Sequence, residues 1–154
     1  MTNIQTVGFL FSENMLDVLL IEKQRPEWQK GKFNGIGGRM EVGESPVGCL
    51  VREFREETGV LLDKDSWTQF HMQRQMQSGA SLYFYYAVRP IDVLHAARDV
   101  TDEKLQIVRT NVVLSAFTRP EDHYTKNYYV YNLGYLLLMA LAYEQYPDHR
   151  YFEG

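Results

Sequence analysis

Cysteine is almost missing from this chain. Cys49 is the only one in 154 residues, which excludes an intramolecular disulfide and a cysteine-based zinc cluster and fits a reducing compartment. Long apolar runs are missing too. The longest, Tyr128 to Tyr143, falls short of the roughly 20 residues that span a bilayer and is interrupted by Asn132 and Gly134, so it reads as a core helix. The opening MTNIQTVGFLF carries no basic leader with a cleavage site, and a cytoplasmic location without a membrane partner is expected. Positive charge is not in excess. Sixteen Lys and Arg stand against twenty Asp and Glu, a net −4, which disfavours a broad grip on nucleic acid. An anionic ligand would therefore need a metal ion or a few placed cations.

What is present is ordinary for a globular chain: 45% hydrophobic and 23% charged residues, with no repeat, low-complexity tract or obvious linker. One domain over residues 1–154 is the expectation. Val7 to Phe11 and Val18 to Ile21 read as strands joined by the polar SENMLD. From Arg25 to Gly43, five glycines and a proline limit the chain to loop and short strand. Ser45-Pro46 opens a helix and Gly59 closes it, with Val47, Leu50, Val51 and Phe54 at helical spacing as the buried stripe. Trp67 to Gln75 and Ser81 to Val88 suggest an antiparallel hairpin turning at Gln77 to Ala80, and Leu105 to Arg109 a further strand. A long helix is expected from Asn127 to Tyr146, stopped by Pro147. This order points to an α/β fold, a mixed sheet with helices on its faces.

The chemistry lies in GRMEVGESPVGCLVREFREETGV, from Gly38 to Val60. Glu53, Glu56 and Glu57 stand at i, i+3 and i+4, so they project within one sector of the helix, roughly 100° wide. Like charges that close repel and raise one another's pKa, so the arrangement asks for a compensating cation. Magnesium prefers carboxylate and water oxygens and commonly bridges carboxylates to phosphates; manganese is a possible substitute. Arg52, four residues before Glu56, can pair with it and hold its rotamer.

The same segment resembles the Nudix box, G-x5-E-x7-R-E-U-x-E-E-x-G-U with U a bulky apolar residue. Gly38, Glu44, Arg52, Glu53, Glu56, Glu57 and Gly59 fill the seven exact positions, and Phe54 and Val60 the apolar ones. The resemblance implies an α/β/α sandwich with a loop–helix–loop motif. It also implies magnesium ions held by Glu53, Glu56, Glu57 and the Gly38 carbonyl, with Glu44 supporting them. The implied reaction is hydrolysis of a nucleoside diphosphate linked to X by attack of water on phosphorus. Glu53 is the first choice of base, with Glu57 or a later glutamate as alternatives. A metal ligand from outside the helix is common in the family, and Glu103 in VTDEKLQIV is its counterpart here, with Asp102 as fallback. Many members are homodimers.

Resemblance also guides the substrate reading. GKFNGIGG is similar to the W-N-G-F-G-G stretch of oxidised-purine triphosphatases, with Phe33 in place of tryptophan and Asn34 facing the base. RPEDHY resembles their P-D-D-x-Y segment, which brings in Glu121 and Asp122, and the start of the last helix would bring Asn132 to the pocket. Lys23, Arg25, Lys30 and Lys32 are candidate phosphate contacts, and some of Tyr83 to Tyr86 could stack on a base. The arrays typical of NADH, coenzyme A and ADP-ribose enzymes are missing. A small nucleoside triphosphate, cut to monophosphate and pyrophosphate, is the leading expectation. The alternatives are a nucleotide sugar, a dinucleoside polyphosphate, an RNA cap, or a nucleotide-binding module without turnover.

Overall fold

The computed structural model describes residues 3–119 and 127–146. Its centre is a seven-stranded mixed sheet. β1 (Ile4–Ser12) and β2 (Asp17–Glu22) pair antiparallel, joined by the polar turn expected there. β1 also takes β4 (Ile36–Arg39) antiparallel, and β2 takes β3 (Phe33–Asn34) and β7 (Leu105–Arg109). The hairpin of β5 (Thr68–Arg74) and β6 (Ser81–Arg89) joins through β6, which runs parallel to β1 along the strand's full length.

Alternation along β1 sends side chains to two different cores. Phe9 and Phe11 pack on one face, with Val18, Leu20, Phe70, Phe84 and Tyr86, under α3 (Thr110–Thr118) and α4 (Leu133–Gln145). Leu10 faces the opposite way with Leu19, Ile36 and Tyr85, under α1 (Pro46–Thr58) and the short α2 (Ile91–His95). A strand buried on both faces reads as a continuous apolar run, and GFLF is one. The result is the expected α/β/α sandwich. No helix among the described residues is long and apolar enough to cross a membrane.

The chain reading of α1 matches in detail. Ser45 Oγ accepts from the Gly48 N–H at 3.1 Å, Pro46 takes the first position, and Gly59 closes the helix at φ 77°. Two α-helices were not anticipated. Ile91–His95 is a single helical turn after Pro90, and Thr110–Thr118 is a helix despite three β-branched residues in its first four. Burial of Val113 and Ala116 outweighs that weak propensity. The last helix is shorter than expected, starting at Leu133 rather than Asn127. The Phe33 N–H donates to the Tyr128 carbonyl (2.6 Å) and the Val130 N–H to the Phe33 carbonyl (3.1 Å), so β3 captures the segment as a strand-like bridge.

Candidate active site

Everything at this site is assembled around Arg52. Its Nε and Nη2 donate to the two Glu44 oxygens at 2.8 and 2.9 Å, a fork-on-fork geometry that fixes the guanidinium plane. Nη1 then donates to Glu53 Oε1 at 2.8 Å and to Glu56 Oε2 at 3.2 Å, and Nη2 reaches the Arg39 carbonyl at 3.1 Å. One arginine thus ties the loop at Glu44, the end of β4 and two carboxylates of α1. The pairing with Glu56 is the weakest part of this set, while the bond to Glu44 carries most of the orientation. Arg52 holds the Glu44 carboxyl below the usual carboxylate range, and the Arg52 guanidinium is shifted upward in return.

Glu53 leans against Gly38. A Cβ at that glycine would meet the Glu53 carboxylate, its oxygens at 2.6 and 2.7 Å, so only a bare backbone leaves room there. The Gly38 carbonyl also accepts a weak contact from the buried Cys49 Sγ at 3.7 Å. Burial pushes the Glu53 carboxyl upward, opposed by Arg52. Glu57 goes further. Burial, partly offset by Lys23 and reinforced by Glu53, Glu103 and Glu56, pushes its carboxyl up to about 7. Its Oε2 is buried with no hydrogen-bond partner. Glu56 is exposed.

Glu103, the expected ligand from outside the helix, is near enough to Glu57 to raise its carboxyl, but both its oxygens are engaged. Oε1 pairs with Lys23 Nζ at 3.2 Å, and Oε2 accepts from the Gln24 N–H at 2.5 Å. The fallback Asp102 is exposed and paired with Arg25 at 2.7 Å. Among the described residues no three His, Cys, Asp or Glu side chains converge on a common point. The reason is local: Arg52 draws Glu53 and Glu56 to its own nitrogens, and Lys23 occupies Glu103. The donor set nevertheless fits a hard divalent cation. It offers carboxylate oxygens, a peptide carbonyl with space before it, and one buried anionic oxygen that lacks any partner.

On the sheet face opposite α1 opens a cavity of about 580 Å³, linked to the cluster through Arg39, whose side chain lines it and whose carbonyl accepts from Arg52. Of the residues singled out for substrate, Arg25, Asn34 and Asn132 line it. Lys23, Phe33, Lys30 and Lys32 do not: Lys23 is committed to Glu103, and Phe33 packs against the core under α3 and α4. Phe84 lines the cavity, whereas Tyr83 and Tyr85 belong to the core under α1. Glu121 and Asp122 lie outside the described residues. The cavity also takes Trp28, Arg39, Gln73 and Tyr131, which the sequence did not single out. An exposed tryptophan in a polar loop was a usable signal for the first; long-range pairing hid the others.

The family model of the NUDIX domain matches residues 2–130. An uncharacterised Nudix hydrolase of Bacillus subtilis, YvcI, is 39% identical over 62 residues, covering 40% of this chain and 37% of that protein. The aligned stretch thus spans little more than a third of that relative. Among solved structures, one from a study of MutT from Aliivibrio salmonicida and Vibrio cholerae superposes with TM-score 0.59 at 18% identity. It covers 75% of this chain and 86% of its own. A MutT/nudix family protein of Enterococcus faecalis gives TM-score 0.57 at 18% identity, covering 71% and 44%. At such identities the structures speak for the fold alone.

Proposed function

The chain belongs to the Nudix family, and from that premise we propose that it is a magnesium-dependent pyrophosphohydrolase. Its substrate is a nucleoside diphosphate linked to a further group, most simply a nucleoside triphosphate released as monophosphate and pyrophosphate. One observation carries the reading. A partnerless buried carboxylate oxygen on Glu57, the Glu53 carboxylate against Gly38 and exposed Glu56 lie along one helix, and Arg39, whose carbonyl accepts from Arg52, links them to a cavity large enough for a nucleoside.

Glu53, Glu56, Glu57 and the Gly38 carbonyl would hold the metal. When bound, it neutralises phosphate oxygens and lowers the pKa of a water. The chain's own residues do the rest. Arg52 fixes the loop to the helix through Glu44, so that the carboxylates keep their spacing when the substrate arrives. Arg39 and Arg25 line the cavity, where a guanidinium can hold phosphate oxygens by paired hydrogen bonds. Glu53 accepts the proton of the attacking water, and its upward shift by burial makes it a stronger base near neutral pH. Glu57 is the alternative base. Glu103 completes the anionic cluster and anchors Lys23.

A panel of nucleoside triphosphates, nucleotide sugars, dinucleoside polyphosphates and capped RNA, assayed with magnesium for phosphate and pyrophosphate release, tests the reading. Turnover of at least one substrate is expected, with losses on the order of 100-fold or more in folded Glu56→Gln and Glu57→Gln variants. Undiminished rates in either variant would remove the assignment.

A further inference from the structure

The outward side of α4 is as apolar as its inward side. Leu133, Gly134, Leu136, Leu137 and Ala140 are buried, as a helix packed on a sheet requires. A helix at a protein surface normally turns charge to the water, and α1 does so with Arg55 and Glu56. α4 turns Tyr135, Leu138 and Ala142 outward instead, with Tyr131 before the helix and Tyr146 after it. Tyr131, Tyr135, Leu138 and Tyr146 are 70%, 61%, 54% and 55% exposed. Glu144 is the only charged residue of the helix, and its Oε2 accepts from the Tyr86 hydroxyl at 2.5 Å, which ties it back to the sheet.

Tyr135, Leu138 and Ala142 stand at i, i+3 and i+7, the spacing of a seam along which one helix packs on another. The order of large and small side chains is also its own complement. Turned end for end about a twofold axis between Leu138 and Met139, a second α4 sets Tyr135 against the partner's Ala142 and Leu138 against the partner's Met139. The same rotation sets Tyr131 against the partner's Tyr146. Ala142 leaves room for the tyrosine ring. Charge points the same way. The chain carries a net −4, so most pairings of its surface with itself oppose like charges, and this face has none to oppose. The three tyrosines with Leu138, Met139 and Ala142 offer on the order of 1,000 Å² for the pair, the lower end of specific interfaces, which fits a reversible dimer of micromolar affinity.

We propose that α4 is the interface of a twofold homodimer, the two helices antiparallel across Leu138 and Met139. The cavity is affected as well. Tyr131 lines it and stands 6.2 Å from Trp28, centroid to centroid, so the partner's Tyr146 extends that rim. The pairing holds whatever the cavity binds.

Sedimentation velocity of the full chain over micromolar to near-millimolar concentrations tests this contact. A reversible monomer–dimer equilibrium is expected. Leu138→Glu brings two carboxylates together at the axis and should weaken association at least about 10-fold. The circular dichroism melt of the monomer should not change, because this side chain is more than half exposed. Leu138→Lys should fail alone in the same way, and an equimolar mixture of Leu138→Glu and Leu138→Lys should restore dimers, which requires position 138 to lie near its own copy. Ala142→Tyr should block association by filling the place of the partner's ring. A monomer at every concentration would overturn the proposal and leave the face to a different partner. A dimer indifferent to both Leu138→Glu and Ala142→Tyr would show that the chain pairs elsewhere. Failure of the mixture to associate, where wild type does, would exclude the twofold axis.

Discussion

Glu57 allows a test that needs no substrate. Burial pushes its carboxyl from an ordinary 4.5 to about 7, which at 1.36 kcal/mol per pH unit corresponds to about 3 kcal/mol. The sign follows from proton counting. Between pH 4.5 and 7 the folded chain keeps a proton on Glu57 that the unfolded chain has lost, so the contribution to stability is full below 4.5 and fades as pH rises through 7. Glu57→Gln imitates the protonated side chain at every pH. In metal-free urea denaturation, wild type and variant should be closest near pH 4.5, and the variant should gain by about 3 kcal/mol relative to wild type by pH 8. Adding magnesium at pH 8 should then raise the wild-type midpoint, because a cation that binds only the folded site adds stability by mass action, and should raise the variant's less. A pH-independent difference between the two proteins would refute the argument. So would a variant that magnesium stabilises as strongly as wild type.

Two further substitutions probe the supports of the site. Gly38→Ala places a methyl group where the Glu53 carboxylate lies. Turnover should fall on the order of 100-fold with the circular dichroism melt nearly unchanged, and retention of rate would show that Glu53 can act from another position. Lys23→Met leaves the nearly buried Glu103 with only the Gln24 N–H. It should cost about 3 kcal/mol in urea denaturation, and adding Glu103→Gln should restore more than half of that.

Legibility in the sequence followed the distance over which each feature is encoded. The helix α1 was readable because its signals are local: a serine cap, a proline start, a glycine stop, and carboxylates whose spacing alone puts them on one sector. The two-sided burial of β1 was readable as an uninterrupted apolar run. The helix at Thr110–Thr118 was not, since its residues favour strands and only burial against the sheet makes them helical. The start of the last helix was misplaced because β3, almost a hundred residues earlier, holds Tyr129 in an extended bridge. Lys23 reads as a surface cation within a basic cluster, yet it is half-buried and paired with a buried glutamate far along the chain. No periodicity encodes such a meeting, nor that of Trp28 with Tyr131.

The parallel seam between β1 and β6 has a consequence for how the chain is made. Ile4–Ser12 cannot acquire its neighbour on that side until residues 81–89 have left the ribosome, while its partners on the other side, β2 and β4, are available much sooner. For that interval one edge of the first strand stands open, with a phenylalanine-rich surface still uncovered, a species suited to pairing with another nascent chain. Closing this long loop costs more chain entropy than either of the strand's earlier pairings.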